Sequence, residues 1–156
     1  IPGHRTSNML AYDELFSETM YLYCGQTHPL FAATPAEEPA DWQALRRYAF
    51  AGLGYHSPNM ELTQQVHLTR AATGYDQESI ATLILSGCFL GFLPDHYAES
   101  FERHGQMRAL QASAFHYRCS FFSIVRASPQ ATRVTQAFQA ALRQAHSPDF
   151  LNQLAF

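Results

Sequence analysis

The sequence predicts an α/β fold built on a parallel sheet, and three observations predict it. The middle of the chain alternates strand-like and helix-like segments, the pattern from which parallel sheets are wound. Within it, Asp76 to Arg108 reads DQESIATLILSGCFLGFLPDHYAESFERHGQMR, a helix, a buried strand, a helix and the start of another strand. Two further strand-like segments, Thr19–Gly25 and Phe115–Val125, flank the alternating region and lead out of one part of the chain into another.

The elements follow in order. Ile1 to Ser7 reads as a strand end and a loop, and Met9 to Phe16 as a short extended or edge segment. Thr19 to Gly25 alternates as a strand does, and His28-Pro29-Leu30-Phe31 turns after it. Thr34 to Ala40 is a surface loop. Asp41 caps a short helix, Trp42 to Arg47, in which Trp42 and Leu45 share a face. Tyr48 to Leu53 is an apolar strand, Gly54 to Asn59 a loop, Met60 to His67 a weak helix and Leu68 to Thr73 a strand. Asp76 starts the next helix, with Glu78 at its positive end, and Ile80, Leu83 and Ile84 recur at helical spacing. Gly87 stops that helix. The run CFLGFL is apolar throughout, as a strand covered on both faces should be. Pro94-Asp95 opens a helix that Gly105 closes, and Met107 to Leu110 is a short strand. After the long strand Phe115–Val125, Ser128-Pro129 supplies a cap and a first-turn proline. The last helix, Gln130 to Ala145, puts Val134, Phe138, Ala141 and Leu142 on one stripe. These segments divide the chain into residues 23–121, a nearly self-sufficient lobe, and residues 1–22 with 122–156, the remnant of another.

Composition narrows the function. At 156 residues, 47% apolar and 15% charged, the chain can bury a real core. A net charge of −3, with ten scattered arginines as the only Lys or Arg residues, argues against a grip on a phosphate backbone by this segment alone. No apolar run approaches the roughly 20 residues of a membrane span, and no stretch reads as a signal peptide. Three cysteines, Cys24, Cys88 and Cys119, are few, odd in number and set in apolar segments, which points to buried thiols in a reducing cytosol. The chain opens at Ile1-Pro2 without an initiator Met and reads as a fragment.

Catalytic signatures are missing. No G-x-S-x-G elbow and no P-loop occurs. The eight histidines are spread singly rather than at ligand spacing, so no metal and no cofactor is expected. Cys24 and Cys119 lie in the two flanking strands, where two small buried apolar residues are a better reading than a redox pair. Three loops remain, each following a strand of the middle region: Gly54–Asn59, Thr73–Asp76 and Leu93–His96. They mix hydroxyl, amide and imidazole groups with aromatic walls, and two lead into helix N-termini that favour an anion. Within them Asp76, Asp95 and Ser57 also read as helix caps, and Tyr75 reads equally well as a roof over the core. Nothing there pairs an acid with a base, so binding without catalysis is favoured.

At this point the chain resembles the effector-binding domain of LysR-type transcriptional regulators. The residues that carry the resemblance are LYCGQTHPLFA at 22–32, SIATLILSGCFLGFLPDHYAESFERHGQMRAL at 79–110 and FFSIVRASPQATRVTQAFQAAL at 121–142. The resemblance implies a type II periplasmic-binding-protein-like fold, two Rossmann-like lobes joined by two crossing strands, with the first lobe incomplete here. It implies a small-molecule effector bound between the lobes, a homodimer or homotetramer, and contact with DNA only through a winged helix-turn-helix domain missing from this chain. It implies a cytoplasmic protein with no membrane partner. Carried over to this sequence, the effector-binding residues are Ser57, Asn59, Thr73, Tyr75, Pro94 and His96, with Arg5 and Thr6 facing them and Arg5 set to meet an anionic group. A solute-binding protein of the same fold is the alternative, and an enzyme on a Rossmann-like lobe is disfavoured by the missing glycine fingerprint.

Overall fold

The computed structural model describes residues 7–34, 36–129 and 131–147. The strand end and loop read over Ile1 to Ser7 fall almost entirely outside these residues, as do Arg5 and Thr6. Eleven elements are described. They are β1 (Leu10–Gly25), α1 (Trp42–Leu45), β2 (Phe50–Leu53), α2 (Pro58–Gln65), β3 (Arg70–Gly74), α3 (Gln77–Leu85), β4 (Leu90–Pro94), α4 (Asp95–Arg103), β5 (Met107–Ala109), β6 (His116–Arg126) and α5 (Arg133–Ala145). The chain divides into two compact units, Glu18–Arg118 and Ile1–Ser17 with Cys119–Phe156.

In the larger unit the strands are ordered β3-β2-β4-β1-β5, with β6 also paired to β1. β2 runs parallel to both β3 and β4. β1 runs antiparallel to β4, Met20 lying opposite Pro94, and antiparallel to β5. β4 and β5 therefore point the same way with β1 between them, and α4 is the crossover that joins two parallel strands. The βαβ reading of Asp76–Arg108 holds.

β4 is buried at all five positions. Its side chains alternate between two cores. Leu93 joins Tyr23, Ala51, Ile80, Ile84, Ala98 and Met107, which packs α3 and α4 on one face. Phe92 points the other way into an aromatic cluster: its ring centroid lies 5.9 Å from Phe50, 6.2 Å from Trp42 and 5.1 Å from Tyr117, and Trp42 meets Phe115 at 4.9 Å. Offset and edge-on rings at these distances add to the burial of their area. The residue after α3, Ser86, is followed by Gly87 at φ +72°, the left-handed conformation in which only glycine is unstrained, so the helix stops there.

Arg108 ties the loop after β1 to the sheet. Its Nη1 lies 2.7 Å from Glu38 Oε1, and its Nη2 donates to the carbonyls of Leu30 at 2.6 Å and Ala33 at 3.1 Å. Glu38 Oε2 accepts from the Gln111 amide at 3.1 Å. The surface loop read over Thr34 to Ala40 thus hides one inward carboxylate. Beside Arg108, burial pushes the Cys24 thiol up to about 11. All three cysteines are free thiols; Cys24 and Cys119 are buried, but Cys88 is exposed, contrary to the buried reading. Cys88 precedes β4 in the turn after Gly87 rather than sharing its burial.

The smaller unit corrects three expectations. β1 is one strand of sixteen residues, not two segments: it continues through Ser17 and Glu18, the two polar residues left between the expected segments. The last helix begins at Arg133, with Thr132 as its cap: Thr132 Oγ1 accepts from the Thr135 amide at 3.2 Å, and Ser128-Pro129 lie in the bend before it. The stripe Val134, Phe138, Ala141 is exposed, Val134 by 80% and Phe138 by 64%. The half-buried face is instead Thr135, Gln139, Leu142 and His146, again at helical spacing. Polar and stacking contacts select it. Arg143 Nε meets Asp13 Oδ2 at 2.5 Å, Gln139 reaches Ser123, and the His146 ring stacks on Phe16, which stacks on Phe121 at 4.7 Å.

The buried imidazole of His28 yields a pH prediction. Its Nδ1 accepts the Leu30 amide at 3.1 Å, which requires that nitrogen to be unprotonated, and burial lowers the proton affinity of the ring. The unfolded chain protonates this histidine at an ordinary value near ~6.5, so its contribution is complete above that pH and is lost as pH falls below it. Stability measured by urea unfolding should fall below pH ~6.5 by up to about 1.4 kcal/mol per pH unit. His28→Gln should flatten that part of the profile; an unaltered slope in the variant would assign it to other groups.

Candidate functional site

β2, β3 and β4 are parallel, so the loops that follow them emerge at one edge of the sheet. The chain leaves β2 toward β3 on one side and returns through α3 to β4 on the other. At such a switch the two outgoing connections diverge and leave a crevice beyond the carboxyl ends of β2 and β4. β1 runs the opposite way, so its residues preceding Met20 come to this same edge.

The framework of the edge is closed by its own hydrogen bonds. Gly54 N donates to Gly74 O at 2.8 Å and joins the loops after β2 and β3. Ser57 Oγ accepts from Met60 N at 3.3 Å as the cap of α2, and Asn59 Oδ1 accepts from Leu53 N at 3.4 Å. Both are 3% exposed. His56 Nε2 lies 3.0 Å from Glu61 Oε1. Asp76 caps α3, accepting from both the hydroxyl and the amide of Ser79, and these two bonds hold its carboxyl below the usual range. Asp95 does not cap α4, contrary to expectation. Pro94 occupies the cap position without a side-chain bond, and Asp95, the first helical residue, accepts from the His96 amide at 2.7 Å. Pro94 takes the extended backbone of a cap through its ψ of 144° but has no side-chain acceptor, so the carboxylate sits one residue inward. All three helix N-termini are therefore met by the chain's own oxygens, two of them carboxylates. That leaves less for an incoming anion than the bare helix ends suggested.

Three of the expected residues present themselves to solvent: Thr73, Tyr75 and His96. Tyr75 is 72% exposed and does not roof the core. Its ring leans across the end of β2, where a Cβ on Gly54 would stand 2.8 Å from the ring and 2.7 Å from the Thr73 methyl. The missing side chain at Gly54 is thus what allows the tyrosine to lie one strand inward. His96 is 60% exposed at its ring; Nδ1 is 3.5 Å from Asp95 Oδ1 and Nε2 is 3.9 Å from Glu18 Oε1. Ser57, Asn59 and Pro94 are buried and shape the edge rather than face outward. Arg5 and Thr6 lie outside the described residues.

Glu18 is the residue that sequence reasoning missed. It is brought beside His96 by the antiparallel register of β1 on β4, and its Oε2 is buried without a hydrogen-bond partner. The signal available was a carboxylate immediately before the apolar run Thr19–Gly25. Among the described residues no group of three His, Cys, Asp or Glu could hold a metal ion, and no helix is long and apolar enough to cross a membrane.

Residues 1–147 match the LysR substrate binding domain. The HTH-type transcriptional activator BauR of Pseudomonas aeruginosa is 32% identical over 133 residues, covering 85% of this chain and 43% of that protein. The chain thus spans less than half the length of this curated relative. Among solved structures, the regulatory domain of CcmR from Synechocystis PCC6803, in complex with 2-PG, aligns with a TM-score of 0.70 at 17% identity, over 94% of this chain and 73% of that one. The effector domain of AmpR from Pseudomonas aeruginosa aligns at 0.65 and 13% identity, over 98% and 73%. At these identities the likeness to the solved structures is one of fold, an open mixed sheet with flanking helices.

The Gly54–Tyr75 contact can be tested directly. Gly54→Ala should cost about 1–3 kcal/mol in urea unfolding, as overpacking does. In a Tyr75→Ala background the cost should fall by at least half, because the ring that the methyl displaces is gone. Equal costs in both backgrounds would mean that the tyrosine does not rest on this glycine.

Proposed function

We propose that this chain, which belongs to the LysR substrate-binding family and is the effector-binding regulatory domain of a LysR-type transcriptional regulator, takes its small-molecule effector at the carboxyl edge of β2, β3 and β4. What supports the reading is one observation. At the switch between β2 and β4, Thr73, Tyr75 and His96 are exposed on a framework whose other polar groups, Ser57, Asn59 and Asp76, are already bonded within the chain. Such an edge offers an aromatic face, a hydroxyl and an imidazole on rigid supports, which suits binding. The domain is not an enzyme, since the family to which it belongs binds effectors.

The fate of the bound state follows from linkage. An effector that binds one arrangement of the domain better than another shifts the balance toward it, by no more than its difference in affinity. In the whole regulator that shift would be passed to a homodimer or homotetramer and to a helix-turn-helix domain outside this chain; the name of the BauR relative, a helix-turn-helix activator, supports this. A regulator of that kind acts on DNA in the cytoplasm. The solute-binding alternative gives way to the family match over residues 1–147.

The expected outcome is specific. A thermal-shift screen of amino acids, amines and organic acids should yield a compound that raises the melting temperature of the domain. Tyr75→Ala and His96→Ala should each weaken its binding at least about tenfold, a loss of about 1.4 kcal/mol, while leaving the unliganded melting temperature within a few degrees. Val134→Ser, in the other unit, should bind as the parent does. Unchanged affinity in both edge variants would remove the effector from this edge.

A further inference from the structure

Resting on that reading of the edge, we propose that the Glu18 carboxylate, with the His96 imidazole beside it, selects an effector carrying an ammonium group. Three features of the structure converge on this residue. Glu18 stands at the carboxyl edge only because β1 is antiparallel to β4, two residues beyond the Met20–Pro94 pair. Its side chain as a whole is 19% exposed, and its Oε2 is buried with no hydrogen-bond partner. Among the described residues its one ion-pair neighbour is His96, at 3.9 Å, beyond hydrogen-bond reach.

A carboxylate left in this state is costly to the fold. Elsewhere in the same unit such a group is answered by an arginine, as Glu38 is by Arg108. Four arginines of the same unit are committed to other partners: Arg46 donates to Val66 O, Arg70 to Leu53 O, Arg103 pairs with Glu99 and Arg108 with Glu38. A donor from outside is therefore the partner the site lacks, and a charged donor gains more there than a neutral one. Rotation about the terminal carboxylate torsion, which is soft, presents either oxygen to it. The self-capped helix ends of α2, α3 and α4 point the same way, since Asp76 and Asp95 add negative charge where an anion would otherwise be drawn. Neighbouring strands are about 4.8 Å apart, so His96 and the inward-leaning Tyr75 stand roughly 5–10 Å apart across the edge, which sizes the ligand as small.

The test uses three probes of matched length, n-butylammonium, n-butanol and butyrate, titrated into the labelled 156-residue chain while backbone amide shifts are followed. n-Butylammonium should shift the amides of Glu18, Asp95 and His96 saturably, and Glu18→Gln should weaken that binding at least about tenfold. The same substitution should leave the melting temperature of the free protein unchanged or raise it by a few degrees, because it removes an unanswered carboxylate. A residue that merely held the strand would give the opposite sign, so a lowered melting temperature with unaltered amine binding would overturn the proposal. Stronger binding of butyrate than of the amine at the same amides would overturn the charge assignment alone and leave the effector edge standing. If no probe shifts any amide of that edge, the edge reading and this proposal fall together.

Discussion

The burial of β4 on both faces is the constraint from which the rest of the larger unit follows. A strand with water on neither side must satisfy its backbone by pairing, and β4 pairs with β2 in parallel and β1 in antiparallel. Its side chains must find two cores, and they do, Leu93 among the residues of α3 and α4 and Phe92 among the rings of Trp42, Phe50 and Tyr117. Truncating either would open a cavity of the kind that costs about 2–5 kcal/mol. The polarity of the two pairings then decides what arrives at the carboxyl edge. Parallel β2 and β3 deliver the loops that hold Tyr55, His56 and Tyr75, and antiparallel β1 delivers Glu18.

Polar groups in this unit fall into two kinds, and the contrast separates scaffold from surface. Arg108 and Glu38, Ser57, Asn59, Asp76 and His28 are each bonded to named partners, most of them backbone, and they fix loops that carry no ladder hydrogen bonds. Thr73, Tyr75 and His96 are outside that closed network, and Glu18 has an oxygen that no part of the described chain answers. A protein pays stability for such exceptions, and they concentrate where something else is bound.

The helix α5 shows how a periodic pattern can be right about an element and wrong about its orientation. Val134, Phe138 and Ala141 recur at helical spacing, and the segment is a helix. The apolar stripe nevertheless faces outward within the described residues. An amphipathic pattern states only that two faces differ. Arg143 with Asp13, and His146 over Phe16, choose the packed one here, and both contacts join residues over a hundred positions apart.

The sequence by itself determined most element types, the α/β class, the buried strand at Leu90 to Leu93 within CFLGFL, the caps at Asp41, Ser57 and Asp76 and the stops at Gly87 and Gly105. Each is a local matter, settled by side chains within four residues of the backbone they affect. It also carried the family likeness over most of the chain, because that likeness is an order of such local signals. The site was half legible. Its loops could be found by counting strands, but that Asn59 faces inward and Tyr75 outward depends on Leu53 and Gly54 across a turn. Only the tertiary structure decided that Glu18 belongs beside His96, 78 positions away, because strand register is set by the pairing of whole strands and leaves no mark near the glutamate.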